Sequence, residues 1–136
     1  MIRTFRSDDA PAVVGIWEAC GLLRPWNDPH RDIERKLLQN DDLFLVSESE
    51  GDVIGTVMAG YDGHRGWIYY LAVHPRHRHA GVGRELMEEA EARLRSRGCP
   101  KVNLQVRTDN AGALRFYEQL GYAPDEVISL GKRHQA

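Results

Sequence analysis

Cysteine is scarce in this chain: Cys20 and Cys99 are the only two in 136 residues, far apart and without a C-x-x-C pair. That excludes a disulfide framework and a thiol-redox motif; a reduced, cytoplasmic protein with neither thiol catalytic is the expectation. Long apolar runs are missing as well. None approaches the roughly 20 residues that span a bilayer, and the N-terminus has no signal-peptide pattern. Neither charge sign dominates, with 18 basic against 20 acidic residues and a net charge of −2. A polybasic surface for nucleic acid or anionic lipid is therefore not expected. Repeats, low-complexity stretches and linkers are absent too, and the length suits a single domain over residues 1–136 with one core.

What is present centres on Trp67–Leu94. Trp67–Val73 is aromatic and β-branched without clean polar alternation, which predicts a strand buried on both faces, ended by Pro75. From Val82 on, Val82, Leu86, Met87, Ala90 and Leu94 recur at helical spacing, with Glu85, Glu88, Glu89 and Glu91 mainly opposite. Between them lies Arg78-His79-Ala80-Gly81-Val82-Gly83, followed by Arg84. Glycines there let the backbone approach a ligand, and the first amides of the helix, with its dipole, make an anion site suited to phosphate or pyrophosphate.

The dinucleotide fingerprint fails, because Leu86 stands where a third small residue is needed, and no G-x-x-x-x-G-K-[ST] loop occurs. The pattern [RQ]-x-x-G-x-[GA] after a strand does fit. It resembles the pyrophosphate loop of the GNAT (Gcn5-related N-acetyltransferase) superfamily.

The flanking segments read as follows. Met1–Arg6 is a first strand, and a helix capped by Ser7 or Asp8 carries Val13, Ile16, Trp17 and Cys20 inward until Gly21. In Gly21–Pro29, Asp28 and Pro29 are explained as cap and first turn of a helix running to Gln39. Arg24, Trp26 and Asn27 have no such explanation and are candidates for a substrate wall. Asp42–Glu48 and Asp52–Tyr61 form a hairpin, with Gly55 and Gly60 marking close backbone approach or a bulge. Asp62 and His64 lie in a glycine-rich turn, where a solvated turn explains them as well as a site does. Lys101–Val106 is a further strand, and Asn110 opens a helix bearing Ala113, Leu114, Phe116, Tyr117 and Leu120 until Gly121.

That last helix supplies the second GNAT-like motif, N-x-x-A-x-x-F-Y-x-x-x-G-[FY], matched by Asn110, Ala113, Phe116, Tyr117, Gly121 and Tyr122. The resemblance covers nearly the whole chain, and the GLLRPWNDP and YDGHRG segments are further similar to the YpeA-like bacterial acetyltransferases. It implies an α/β fold: a mostly antiparallel sheet, with splayed parallel fourth and fifth strands and about four helices. The tail departs from the family pattern, since only Val127–Lys132 is strand-like. The acceptor side is thus expected to be open, or completed by a second subunit in a homodimer.

The resemblance also implies acetyl-CoA as cofactor, its pantetheine pairing with Leu71, Ala72 and Val73 and its pyrophosphate held by Arg78, His79, Ala80, Gly81, Val82, Gly83 and Arg84. Asn110 and Tyr117 complete the cofactor side. The Val73 N–H is the expected oxyanion donor and Tyr117 the acid that returns a proton to the thiolate. The base stays open among Asp62, His64, Tyr69, a relayed water, or an amine that arrives neutral. No metal is expected, because His74, His77 and His79 have no carboxylate partner at helical spacing. The expected acceptor is a small-molecule amine or a peptide. The alternatives are a protein N-terminal or lysine acetyltransferase and, from another class, a non-catalytic acyl-CoA-binding domain.

Overall fold

The computed structural model describes residues 1–134. The chain divides into two compact units, residues 1–105 and the stretch from Val106 on. The first holds a five-stranded sheet in the order β1-β2-β3-β4-β5. Its strands are β1 (Ile2–Thr4), β2 (Phe44–Ser49), β3 (Asp52–Tyr61), β4 (Gly66–Val73) and β5 (Val102–Leu104). The first four pair antiparallel, and β4 with β5 is parallel.

Helices α1 (Ala10–Ala19) and α2 (Pro29–Gln39) contribute Val13, Ile16, Trp17 and Ile33 to one buried cluster, with Phe5, Phe44, Val46, Met58 and Ala72 from the sheet side. Helix α3 (Val82–Ser96) packs on β2, β3 and β4, and its Leu86, Met87, Ala90 and Leu94 are fully buried, as their helical spacing predicts. Gly55 permits that close approach: a Cβ there would stand 3.0 Å from both Leu86 Cδ1 and Val82 Cγ1.

Three local expectations need correction. The first helix is not capped by Ser7 or Asp8. A short 3-10 turn, Ser7–Asp9, precedes it, and the Asp9 carboxylate accepts from the Arg6 N–H at 2.7 Å and pairs with Arg3 at 2.8 Å. Second, β4 is not buried on both faces: its centre opens at Tyr69, which is 50% exposed. Third, Val127–Lys132 forms no strand. In the second unit the described element is α4 (Ala111–Gln119), capped by Asn110 Oδ1 accepting from the Ala113 N–H at 3.0 Å.

Candidate active site

The site begins where β4 outruns its neighbour. Pairing with β5 covers Gly66, Trp67 and Ile68 and then stops, so among the described residues no strand lies beside Tyr69–Val73 on that side. On the other side the ladder to β3 is interrupted. Met58 faces Tyr69 and Thr56 faces Ala72, leaving Tyr70 and Leu71 opposite Val57 alone. That is a β-bulge, and Tyr70 takes φ +54° to form it.

Several contacts hold the bulge. Thr56 Oγ1 donates to the Tyr70 carbonyl at 2.8 Å and accepts from Trp17 Nε1 at 3.0 Å. The Tyr70 ring stacks on Trp17, and its hydroxyl donates to Asp32 on α2 at 2.6 Å. Burial first, and the Asp32 carboxylate second, push the Tyr70 phenol well above its ordinary pKa, so it stays neutral.

Beyond the bulge, peptide alternation decides which groups are available. The His74 N–H donates to the Ile54 carbonyl across β3 at 2.8 Å. The N–H and C=O of the preceding residue therefore point to the opposite side, where β5 no longer runs. The Val73 carbonyl accordingly accepts from Cys20 Sγ at 3.3 Å and from Arg78 Nε at 3.5 Å. Arg78 also reaches Cys20 Sγ at 3.4 Å, tying the basic loop to the end of the strand.

The loop then enters α3 without a cap. His79 and Gly81 take positive φ, of +65° and +84°, and the N-cap, Gly81, brings no side chain to the helix amino end. By contrast, Asp28 caps α2 and Asn110 caps α4. An amino end with no side-chain cap, a basic residue before it and no Cβ at Gly81 fits a pyrophosphate.

The remaining candidates are dispersed in role. Arg24 donates to the carbonyls of Gly21 and Leu23, bracing its own loop. Trp26 is half exposed, and the Asn27 N–H donates to the Arg24 carbonyl at 3.1 Å. Asp62 accepts from the N–H groups of His64 and Arg65, both at 2.8 Å, and the Arg65 and His64 amides hold its carboxyl below the ordinary range. Tyr117 is half-buried, flanked edge-on by Phe116 and Tyr122, and burial pushes its phenol up to about 12. Sequence reasoning missed Tyr70, Thr56 and Asp32; an aromatic at positive φ inside a strand leaves no mark in residue spacing. Among the described residues no group of three or more His, Cys, Asp or Glu side chains is placed to hold a metal.

Residues 10–122 match the Acetyltransferase (GNAT) family. The chain belongs to that family. It is 54% identical over 132 residues to a protein named an acetyltransferase from Pectobacterium atrosepticum, covering 97% of this chain and 94% of that one. A second such protein, from Sodalis glossinidius, is 55% identical over 133 residues, with the same coverage. Among solved structures, Ard1 from Thermoplasma volcanium superimposes with a TM-score of 0.78 at 30% identity, covering 90% of this chain and 82% of its own. These matches make the chain a GNAT acetyltransferase with the expected fold.

Proposed function

We propose that this acetyltransferase moves acetyl from acetyl-CoA to a primary amine by direct attack in a ternary complex. The observation that carries the reading is the run of β4 past the end of β5, followed after the loop of residues 74–81 by a helix amino end whose N-cap, Gly81, has no side chain. The cofactor, when bound, supplies an acetyl thioester. Leu71, Ala72 and Val73 offer backbone pairing along the unpartnered side of β4. Arg78, His79, Ala80, Gly81, Val82, Gly83 and Arg84 receive the pyrophosphate. The Val73 N–H meets charge developing on the carbonyl oxygen as the amine nitrogen attacks the carbon.

When the C–S bond breaks, Tyr117 is the group assigned to return a proton to sulfur. Its phenol, up at about 12, is neutral throughout the physiological range. The amine proton leaves to solvent or to a base near Asp62, His64 or Tyr69. Arg24, Trp26 and Asn27 form the acceptor wall, and a small amine is the acceptor. Both units act as one domain, in the cytoplasm, and assembly as a homodimer belongs to the same reading.

Thermal shift with acetyl-CoA and thiol release across amines and peptides test this. Binding should stabilise the fold by about 2.7 kcal/mol at a hundredfold excess over Kd. Gly83 is not among the positive-φ glycines, so Gly83→Val adds bulk to the cradle without forcing a strained backbone. The shift should vanish in that variant; an unchanged shift would move the pyrophosphate elsewhere. Thiol release with peptides alone would favour the protein acetyltransferase alternative. A shift with no release for any acceptor would leave an acyl-CoA-binding domain.

A further inference from the structure

Among the described residues, Tyr70 is the one non-glycine residue that takes positive φ inside a strand; Asn40, Asp42, Glu50 and His79 do so in loops and turns. A bulky side chain keeps that conformation only while its surroundings impose it. Three contacts do so, each on a different part of the residue. The ring meets Trp17, the carbonyl meets the Thr56 hydroxyl, and the phenol meets Asp32.

The first two belong to the interior. Trp17 and Thr56 are fully buried, and they also bond to each other. Asp32 is different. It stands in the first turn of α2, where its side chain is 17% exposed, and its second oxygen pairs with the largely exposed Arg35 on the same helix. The next residue, Ile33, already seats α2 on the buried cluster. What the Asp32 carboxylate adds is a fixed point for the phenol. Because burial and then Asp32 raise the phenol's pKa, it keeps its proton and remains the donor at any working pH. Leu71, Ala72 and Val73 follow directly. Successive peptides in a strand alternate in direction, so a backbone rotation at Tyr70 is carried to the Val73 N–H three residues on.

We propose that Asp32, acting through the Tyr70 hydroxyl, is a positioning residue for acetyl transfer. It fixes the backbone at the bulge, and with it the direction of the Leu71–Val73 peptides. The donor strand is thereby set from α2, the helix that follows the loop of residues 24–27. This role rests on the reading that β4 meets acetyl-CoA; in it Asp32 need touch neither the acetyl group nor the amine.

Calorimetric titration with acetyl-CoA tests it on wild type, Tyr70→Phe, Asp32→Asn, Asp32→Ala and the Tyr70→Phe, Asp32→Ala double variant, each checked for folding by circular dichroism. Tyr70→Phe and Asp32→Ala both delete the hydrogen bond, and each should weaken binding about tenfold. The double variant should bind no worse than either, because one interaction is lost in all three. Asp32→Asn keeps a carbonyl oxygen for the phenol and should bind like wild type. A merely structural contact would lower denaturation midpoints and leave the affinity of the folded protein unchanged. If Asp32→Ala fails to fold, Tyr70→Phe and Asp32→Asn still decide. Equal affinity in every folded variant would overturn the role. So would Asp32→Asn binding as weakly as Tyr70→Phe, since charge rather than the hydrogen bond would then matter. Wild-type protein that binds no acetyl-CoA would overturn the cofactor reading, and this role with it.

Discussion

The Tyr70 ring lies 3.7 Å from that of Trp17, centroid to centroid and 11° from parallel, and it does so because Tyr70 sits at φ +54° within β4. An aromatic residue reaches that conformation only where its surroundings over-determine it. Here the surroundings are the stack on Trp17, the Thr56 hydroxyl on the Tyr70 carbonyl and the Asp32 carboxylate on its phenol. The bulge re-aims the backbone just ahead of Leu71–Val73, so the contacts that hold it also set the strand proposed to meet the cofactor.

Thr56→Val tests how much of that rests on one hydroxyl. The side chains are nearly isosteric, and Thr56 is fully buried. Removing Oγ1 leaves the Trp17 indole N–H and the Tyr70 carbonyl each without the partner it has now. Chemical denaturation should show a loss of about 1–3 kcal/mol, the usual cost of a buried unsatisfied donor. A change below about 0.5 kcal/mol would mean the bulge is held by the ring stack alone.

How much of this was legible in the sequence depended on periodicity. Leu86, Met87, Ala90 and Leu94 announced α3 because burial on one helical face imposes a 3.6-residue spacing. Asp28 and Asn110 announced their helices because a cap needs a short polar side chain, and both side chains accept a backbone N–H there. The bulge was hidden: Trp67–Val73 reads as one continuous strand, and φ at Tyr70 follows from tertiary contacts. Val127–Lys132 misled for the reverse reason. Its composition favours a strand, but a strand also needs a partner, which composition does not supply.

Acid should weaken the fold through Asp9. The Arg3 guanidinium, with the Arg6 N–H, holds the Asp9 carboxyl below its ordinary value of 3.8, against the cost of its burial. A depressed carboxylate pKa contributes stability above the unfolded value, lost as pH falls from near 4 through the folded one. Asp9→Asn should cost roughly 1–3 kcal/mol at pH 7 and flatten the decline below pH 4. Denaturant midpoints at pH 7 and pH 3 decide it; equal losses at both would clear Asp9 of the acid sensitivity.

Trp26→Ala separates acceptor from cofactor. Trp26 is half exposed on the loop before α2, so stability should change by no more than about 0.5 kcal/mol. If it walls the acceptor pocket, KM for the amine should rise several-fold while acetyl-CoA affinity holds. Unfolding of the variant, or unchanged amine kinetics, would remove it from the site.

Tyr117→Phe keeps the ring between Phe116 and Tyr122 and the fit of α4, and removes only the hydroxyl. Burial raises that phenol to about 12, above its ordinary value of 10. The thiolate it would serve has a pKa of about 8.5 by analogy with cysteine, so full transfer is uphill by roughly 5 kcal/mol at about 1.4 kcal/mol per unit. Tyr117 should therefore act chiefly by donating a strong hydrogen bond as the C–S bond breaks, with solvent refilling any proton it gives up. General-acid loss spans about 10²–10⁴-fold, and this mismatch places the expected fall in kcat at the lower end, about 10²-fold. The KM for acetyl-CoA should barely move, because the interaction grows only in the transition state. The raised pKa also means Tyr117 stays protonated until the pH approaches about 12, so it should not cause a decline in activity between pH 7 and pH 10. A paired rate and binding measurement on wild type and variant over that range decides the role. Full activity in the variant at every pH, with acetyl-CoA binding intact, would reduce Tyr117 to packing and leave solvent as the acid.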